Sequence, residues 1–134
     1  MSRDALKEAR RVQLMEATID CIAAHGFSDL TLADVAKGAG LSVGIVNFYF
    51  KSKDQLLIET LRHLVDDYIQ QTDENIRNAG QSAAAQLDAA IESDFHRAIA
   101  NRKKVTVWYA FWGETRWRPE FLKICQQITD TFHA

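Results

Sequence analysis

Residues 32–50 read LADVAKGAGLSVGIVNFYF, small and apolar at first and aromatic at the end. Leu32, Val35 and Ala36 recur at helical spacing and predict a short helix from Leu32 to about Gly38. Thr31 stands where an N-cap belongs, with Asp34 three residues on in an imperfect capping box. Gly38 and Gly40 oppose continuation of that helix and permit a tight turn. Ser42 then caps a second short helix from Val43 to about Tyr49, with Ile45, Val46 and Phe50 as its inward residues. Two short helices about a glycine turn, with a third helix in front, describe a helix-turn-helix unit.

The flanking sequence supplies the rest of an all-α chain. Val12, Met15, Ile19 and Ile22 mark one face of a helix over residues 7–25. Gly26 followed by Phe27 fits a left-handed helix stop with an apolar contact beyond it. After the aromatic run, Ser52 caps a long helix whose face is Leu56, Leu57, Leu61, Leu64, Val65, Tyr68 and Ile69. The stretch beyond Gln70 is polar and breaks near Gly80. A fifth helix follows from about Ala83 to Ala100, with Leu87, Ile91, Phe95 and Ala98 on one side. A sixth spans roughly Lys103–Trp117 and is apolar almost all round, which predicts a central, buried helix. Pro119 suits the first turn of a seventh, with a stripe of Phe121, Cys125, Ile128 and Phe132. That stripe is still periodic at Ala134, so the natural protein is expected to continue further or this chain to be a truncated product.

The 134 residues are 47% hydrophobic and 25% charged, with a single proline, enough for one substantial core. Cys21 and Cys125 form no CxxC spacing, so they read as packed thiols in a reducing compartment rather than as a zinc or redox site. The N-terminus MSRDALKEARR lacks the apolar segment of a signal peptide, and no run reaches the length of a membrane span. A cytoplasmic protein with no membrane partner is expected. Net charge is −2; residues 1–62 hold eight basic and eight acidic side chains, the remainder eight and ten. That balance weighs mildly against nucleic acid, which commonly leaves a basic footprint.

Residues 31–50 resemble the TetR family of bacterial transcriptional regulators. The resemblance is carried by Thr31, Ala36, Ala39-Gly40-Leu41-Ser42, Gly44, Tyr49-Phe50, Lys53 and Leu56-Leu57. With the preceding EATIDCIAAHGFSDLT it covers residues 8 to about 62. The resemblance implies an all-α chain with an N-terminal three-helix DNA-binding domain at 8–68 (its helix-turn-helix at 31–50). A truncated helical domain for ligand binding and dimerisation, at 69–134, follows. A recognition helix presents its N-terminal residues to base edges in the major groove; here these are Val43, Gly44 and Asn47, with Phe48 outward and Tyr49 beside it. Thr31, Ser42 and Lys53 complete the expected DNA-binding set: Ser42 is a helix cap or a phosphate donor, Lys53 resembles the family lysine that holds backbone phosphate or is a solvated surface lysine, and Gly44 serves close approach to DNA or helix packing. Arg3, Lys7, Arg10 and Arg11 form a basic cluster that grips phosphate or a minor groove, or else pairs with acids such as Asp4 and Glu8. Asn47 departs from the family's usual aromatic; asparagine pairs bidentately with adenine or donates to phosphate, so the role survives with altered specificity.

The stretch VWYAFWGETRWRPEFLKICQQ resembles, more narrowly, the C-terminal region of BetI-type repressors, which respond to choline or its oxidation products. Trp108, Ala110-Phe111-Trp112, Pro119, Leu122 and Gln126 carry that match. Trp108 and Trp112 share a helix face, and aromatic faces attract a quaternary ammonium. The expected effector site is therefore Trp108, Phe111 and Trp112 with Glu114 as counter-charge; packed core rings are the plainer reading. The expected partners are double-stranded operator DNA, a small-molecule effector and, in the full-length protein, a second copy of the chain. This fragment is expected to expose apolar surface and bind DNA poorly. No cofactor, metal or enzymatic activity is expected: the four histidines are scattered, and no HExxH, GxSxG, P-loop or dinucleotide fingerprint occurs. The alternative function is a helical interaction module without DNA binding.

Overall fold

The structure, a computed structural model, describes residues 2–94 and 101–132. Among these there are seven helices and no strand: α1 (Arg3–His25), α2 (Leu32–Ala39), α3 (Val43–Tyr49), α4 (Lys53–Asn78), α5 (Ala83–Asp94), α6 (Arg102–Glu114) and α7 (Pro119–Phe132). None of them is long and apolar enough to cross a membrane.

Local chemistry fixes the helix starts. Ser2, Thr31, Ser42, Ser52 and Asn101 each accept a hydrogen bond from the backbone N–H three residues on, and each such cap is worth about 1 kcal/mol. At Thr31 the capping box is complete, because the Asp34 carboxylate also accepts from the Thr31 N–H at 3.3 Å. Gly40 turns the chain between α2 and α3 with φ 70° and ψ 30°, in the left-handed region. The Leu41 N–H then bonds back to the Ala36 carbonyl at 2.9 Å, satisfying the end of α2. Gly26 also has positive φ, 82°, but its ψ of 177° lies outside the left-handed helical well that the sequence suggests. Even so, Phe27 enters the core directly after it.

α1 packs against α2, α4 and α6, while α4 also carries α5 and α7. One apolar cluster therefore runs through the chain. Leu14, Ile19 and Ile22 of α1, Val35 of α2, Val46 of α3 and Leu56, Leu57 and Leu61 of α4 are all essentially inaccessible. The second half joins the same cluster through three rings. Phe27 lies edge-on to Phe111 and Phe121 at 5.3 and 6.0 Å, and Phe111 meets Phe121 at 5.4 Å.

Four expectations need correction. Ile45 is exposed rather than inward, because the seven-residue α3 turns only one side to the core and Val46 and Phe50 fill it. α6 is not buried all round: Val107 and Phe111 are enclosed, whereas Tyr109 and Trp112 are open to solvent. Leu87 and Ile91 of α5 also face outward. That helix sits on α4 with its small polar side instead, where Asn75 donates to Ser93 and Ser93 to Thr72 at 3.0 and 3.3 Å. On α7, Phe132 is exposed and Ile124 takes a core position beside Phe121 and Cys125. Phe95, Ala98, His96 and His133 lie outside the described residues.

Candidate functional site

The first site is the outer side of α3. Val43, Gly44, Asn47 and Phe48 are all exposed on it, while Val46 behind them is fully buried. Tyr49 is half-buried against the core, and its ring meets Phe48 edge-on at 5.0 Å. A side chain at Gly44 would meet only the Ser42 hydroxyl, at an ordinary 3.8 Å. Nothing inside the protein therefore requires glycine there.

Around this face lie capped helix starts and cations. The Ser42 and Thr31 hydroxyl oxygens accept cap bonds from Ile45 and Asp34, leaving each hydroxyl proton as a donor. Lys53 begins α4, next to Ser52, and Lys51 is held by its N–H donating to Gln55 at 2.8 Å. α4 starts with the positive dipole end of a long helix, where Ser52 caps the Gln55 N–H and Asp54 lies in the first turn.

Arg11 does not belong to this face. Its guanidinium is bonded to Glu59, approaches Glu8 at 3.7 Å and lies over the Phe50 ring at 5.0 Å. It braces the end of α3 from inside; of the N-terminal cluster, Arg3 and Lys7 are exposed and Arg10 is half-buried. Arg10 donates to Gln13 at 3.0 Å.

The second site is an open groove of about 450 Å³ between α4, α5, α6 and α7, with Tyr68, Asp94, Trp108, Tyr109, Trp112 and Ile128 along its walls. Trp108 and Trp112 thus line one groove. Phe111 and Glu114 do not: Phe111 points the other way into the aromatic core, and Glu114 faces Arg118 at 3.6 Å. Two residues that the sequence did not assign to this site take their place. Tyr68 donates to Asp94 at 2.5 Å, and its ring stands edge-on to Trp108 at 6.2 Å. Burial, then the hydrogen bond and charge of Asp94, push the Tyr68 hydroxyl up to about 12, so it remains a proton donor. Tyr68 was visible as the aromatic end of the α4 apolar face. No local pattern ties it to Asp94, 26 residues away.

The cysteines are free; Cys125 is buried, and Cys21 packs between α1 and α2, its thiol donating to the Asp34 carbonyl at 3.6 Å. Burial raises both thiols above their ordinary value, with Asp34 and Asp20 adding to the effect at Cys21. Both are poor thiolates.

A three-helix head with a capped glycine turn and an outward recognition helix defines a class, and comparison with known proteins gives the same class. Residues 14–60 match the family described as bacterial regulatory proteins, tetR family. A transcriptional regulator of known structure from Pseudomonas aeruginosa PAO1 superposes with a TM-score of 0.81 at 26% identity, over 92% of this chain and 60% of its own. The chain belongs to the TetR family of bacterial regulatory proteins. Within it, the HTH-type transcriptional regulator BetI of Paraburkholderia phytofirmans is 35% identical over 124 residues, covering 92% of this chain and 64% of the relative. BetI of Burkholderia mallei is 32% identical over all 134 residues, 69% of the relative. The chain thus spans about two thirds of the length of these relatives, which are transcriptional regulators and not enzymes. A regulator from Saccharomonospora viridis, solved in complex with choline, shares the fold with a TM-score of 0.80 at 22% identity, over 92% of this chain and 64% of its own.

Proposed function

We propose that this chain is the DNA-reading and effector-binding portion of a ligand-released repressor. In this reading residues 8–68 bind double-stranded operator DNA and 69–134 bind a small-molecule effector and take part in homodimerisation. The observation that carries it is the outer side of α3, where Val43, Gly44, Asn47 and Phe48 are exposed on a helix anchored from behind by Val46 and Phe50. Asn47 has the donor and acceptor to read adenine, Gly44 admits a close approach, and Thr31, Ser42 and Lys53 supply phosphate contacts.

The effector we assign is a quaternary amine such as choline. The aromatic groove formed by Tyr68, Trp108, Tyr109 and Trp112 supports this by cation–π attraction. The BetI name of the relatives and the choline held by the Saccharomonospora regulator favour the same chemistry. Effector action is a population shift: the ligand favours one spacing of two reading heads and depletes the DNA-competent one. α4, which reaches from Lys53 beside the reading face to the groove at Tyr68, is the lever.

Fluorescence anisotropy on labelled DNA from upstream of the chain's own gene tests the first half of this reading. Neutralisation of about four phosphates, by Lys53 with Arg3, Lys7 and Arg10, predicts an affinity that falls about a hundredfold between 50 and 200 mM salt. Asn47→Ala should weaken binding to that fragment more than to unrelated DNA. Absence of binding at every salt concentration would leave an interaction module as the function.

A further inference from the structure

The groove has an electrostatic asymmetry that its aromatic walls do not. Among the described residues lining it, Asp94 alone carries a formal charge; the others are aromatic or aliphatic. The position of that charge is fixed. Tyr68 donates to one carboxylate oxygen at 2.5 Å, and the Tyr68 ring is itself set edge-on against Trp108. The acid therefore stands at the aromatic wall, where a stacked ligand headgroup would lie.

We propose that Asp94 sets the charge selectivity of this groove, so that it takes organic cations bearing no carboxylate and discriminates against both neutral isosteres and zwitterions of the same shape. The inference rests on the quaternary-amine reading above and adds a specificity residue to it. A quaternary ammonium has no N–H and makes no directed hydrogen bond, so only ring faces and charge can distinguish it. The rings of Trp108, Tyr109 and Trp112 attract the ammonium of a cation and of a zwitterion alike. They also bury the methyl groups of a neutral isostere. What separates the cation from the zwitterion, which the rings do not, is the Asp94 carboxylate. Asp94 attracts the cation, is indifferent to the neutral analogue and repels the single carboxylate of the zwitterion, which finds no cationic side chain among the described lining residues.

The scale is modest, because Asp94 is exposed to solvent. One charge at about 5 Å in a largely aqueous dielectric corresponds to about fivefold in affinity at low salt, and that factor shrinks as salt is added.

The test is a fluorescence titration of the 134-residue chain, reading Trp108 and Trp112, with three probes: choline, its neutral carbon analogue dimethylbutanol, and the zwitterion trimethylglycine. The wild-type chain should bind choline about fivefold more tightly than trimethylglycine, and dimethylbutanol, which also lacks the cation–π attraction, more weakly than choline by at least that factor. Asp94→Asn keeps an oxygen to accept from Tyr68 and removes only the charge. It should bring the choline and trimethylglycine affinities together while leaving the dimethylbutanol affinity and the helical circular dichroism unchanged. Tyr68→Phe, which keeps the ring and the acid, should retain the order of the probes. Choline binding with its preference undiminished in Asp94→Asn overturns the assignment of selectivity to this residue, while the quaternary-amine reading stands. Failure of the wild-type chain to bind any probe overturns that reading, and this assignment with it.

Discussion

Phe48 and Phe50 are two residues apart in the chain and do opposite things. Phe50 is fully enclosed behind α3, with the Arg11 guanidinium over its ring, whereas Phe48 leaves 71% of its surface in water. A large exposed ring contributes little to folding; a buried one contributes heavily, because its removal loses transfer energy and leaves a cavity. Phe50→Ala should therefore destabilise the chain by about 3–5 kcal/mol. Phe48→Ala should change stability by no more than about 0.5 kcal/mol, as surface substitutions do. Urea denaturation of both variants checks this pair of outcomes. Equal losses would mean that Phe48 is part of the core after all, and that the outer side of α3 is not a free surface. Ile45 illustrates what the residue scale hides. Its apolar character suggested burial, but at that position on a two-turn helix the inward direction already belongs to Val46.

At the scale of helices, α4 is held at its start by a residue from the other end of the chain. Arg118, just before α7, donates to Asp54 at 2.9 Å and lies over the rings of Phe27 and Phe121 at 5.6 and 5.2 Å. Asp54 has 71% of its side chain exposed against 28% for Arg118, so water screens the ion pair and the stacking carries more of the energy. Asp54→Asn should cost at most about 0.5 kcal/mol. Arg118→Lys, which keeps the charge and loses the planar stack, should cost about 1 kcal/mol. Thermal denaturation at matched salt measures both, and a larger loss at Asp54 would reverse the ranking. Helix starts such as those at Ser42 and Ser52 were legible in the sequence because a cap is a contact three residues long. The faces of α5 and α6 were not, because which side of a helix is covered depends on a distant partner. Leu87 and Ile91 have the right spacing for a core stripe, yet α4 receives Ser93 instead. The groove is a harder case still: its tryptophans were readable as a pair, whereas the Tyr68–Asp94 contact exists only once α4 and α5 are packed.

Across the whole molecule, the reading head and the groove share one core. Phe27, in the connection before α2, touches Phe111 and Phe121 of the last two helices. Charged contacts repeat the link. Lys103 of α6 donates to Asp20 of α1, and Lys104 to Asp67 of α4, at 2.9 and 3.0 Å. α4 itself runs unbroken from Lys53 to Asn78. A continuous core of this kind unfolds as a unit, since neither part can open without exposing apolar surface of the other. All three tryptophans, Trp108, Trp112 and Trp117, lie in the second half. Their fluorescence therefore follows that half, while circular dichroism at helical wavelengths follows every helix. The two signals should trace a single transition in urea. Phe111→Ala, which empties the junction between Phe27 and Phe121, should shift both together, by about 3–5 kcal/mol. If the fluorescence change precedes the loss of helix, the head is an independently stable domain. The junction rings would then tie two bodies together rather than complete one, and an effector in the groove would have to reach α3 through α4 alone.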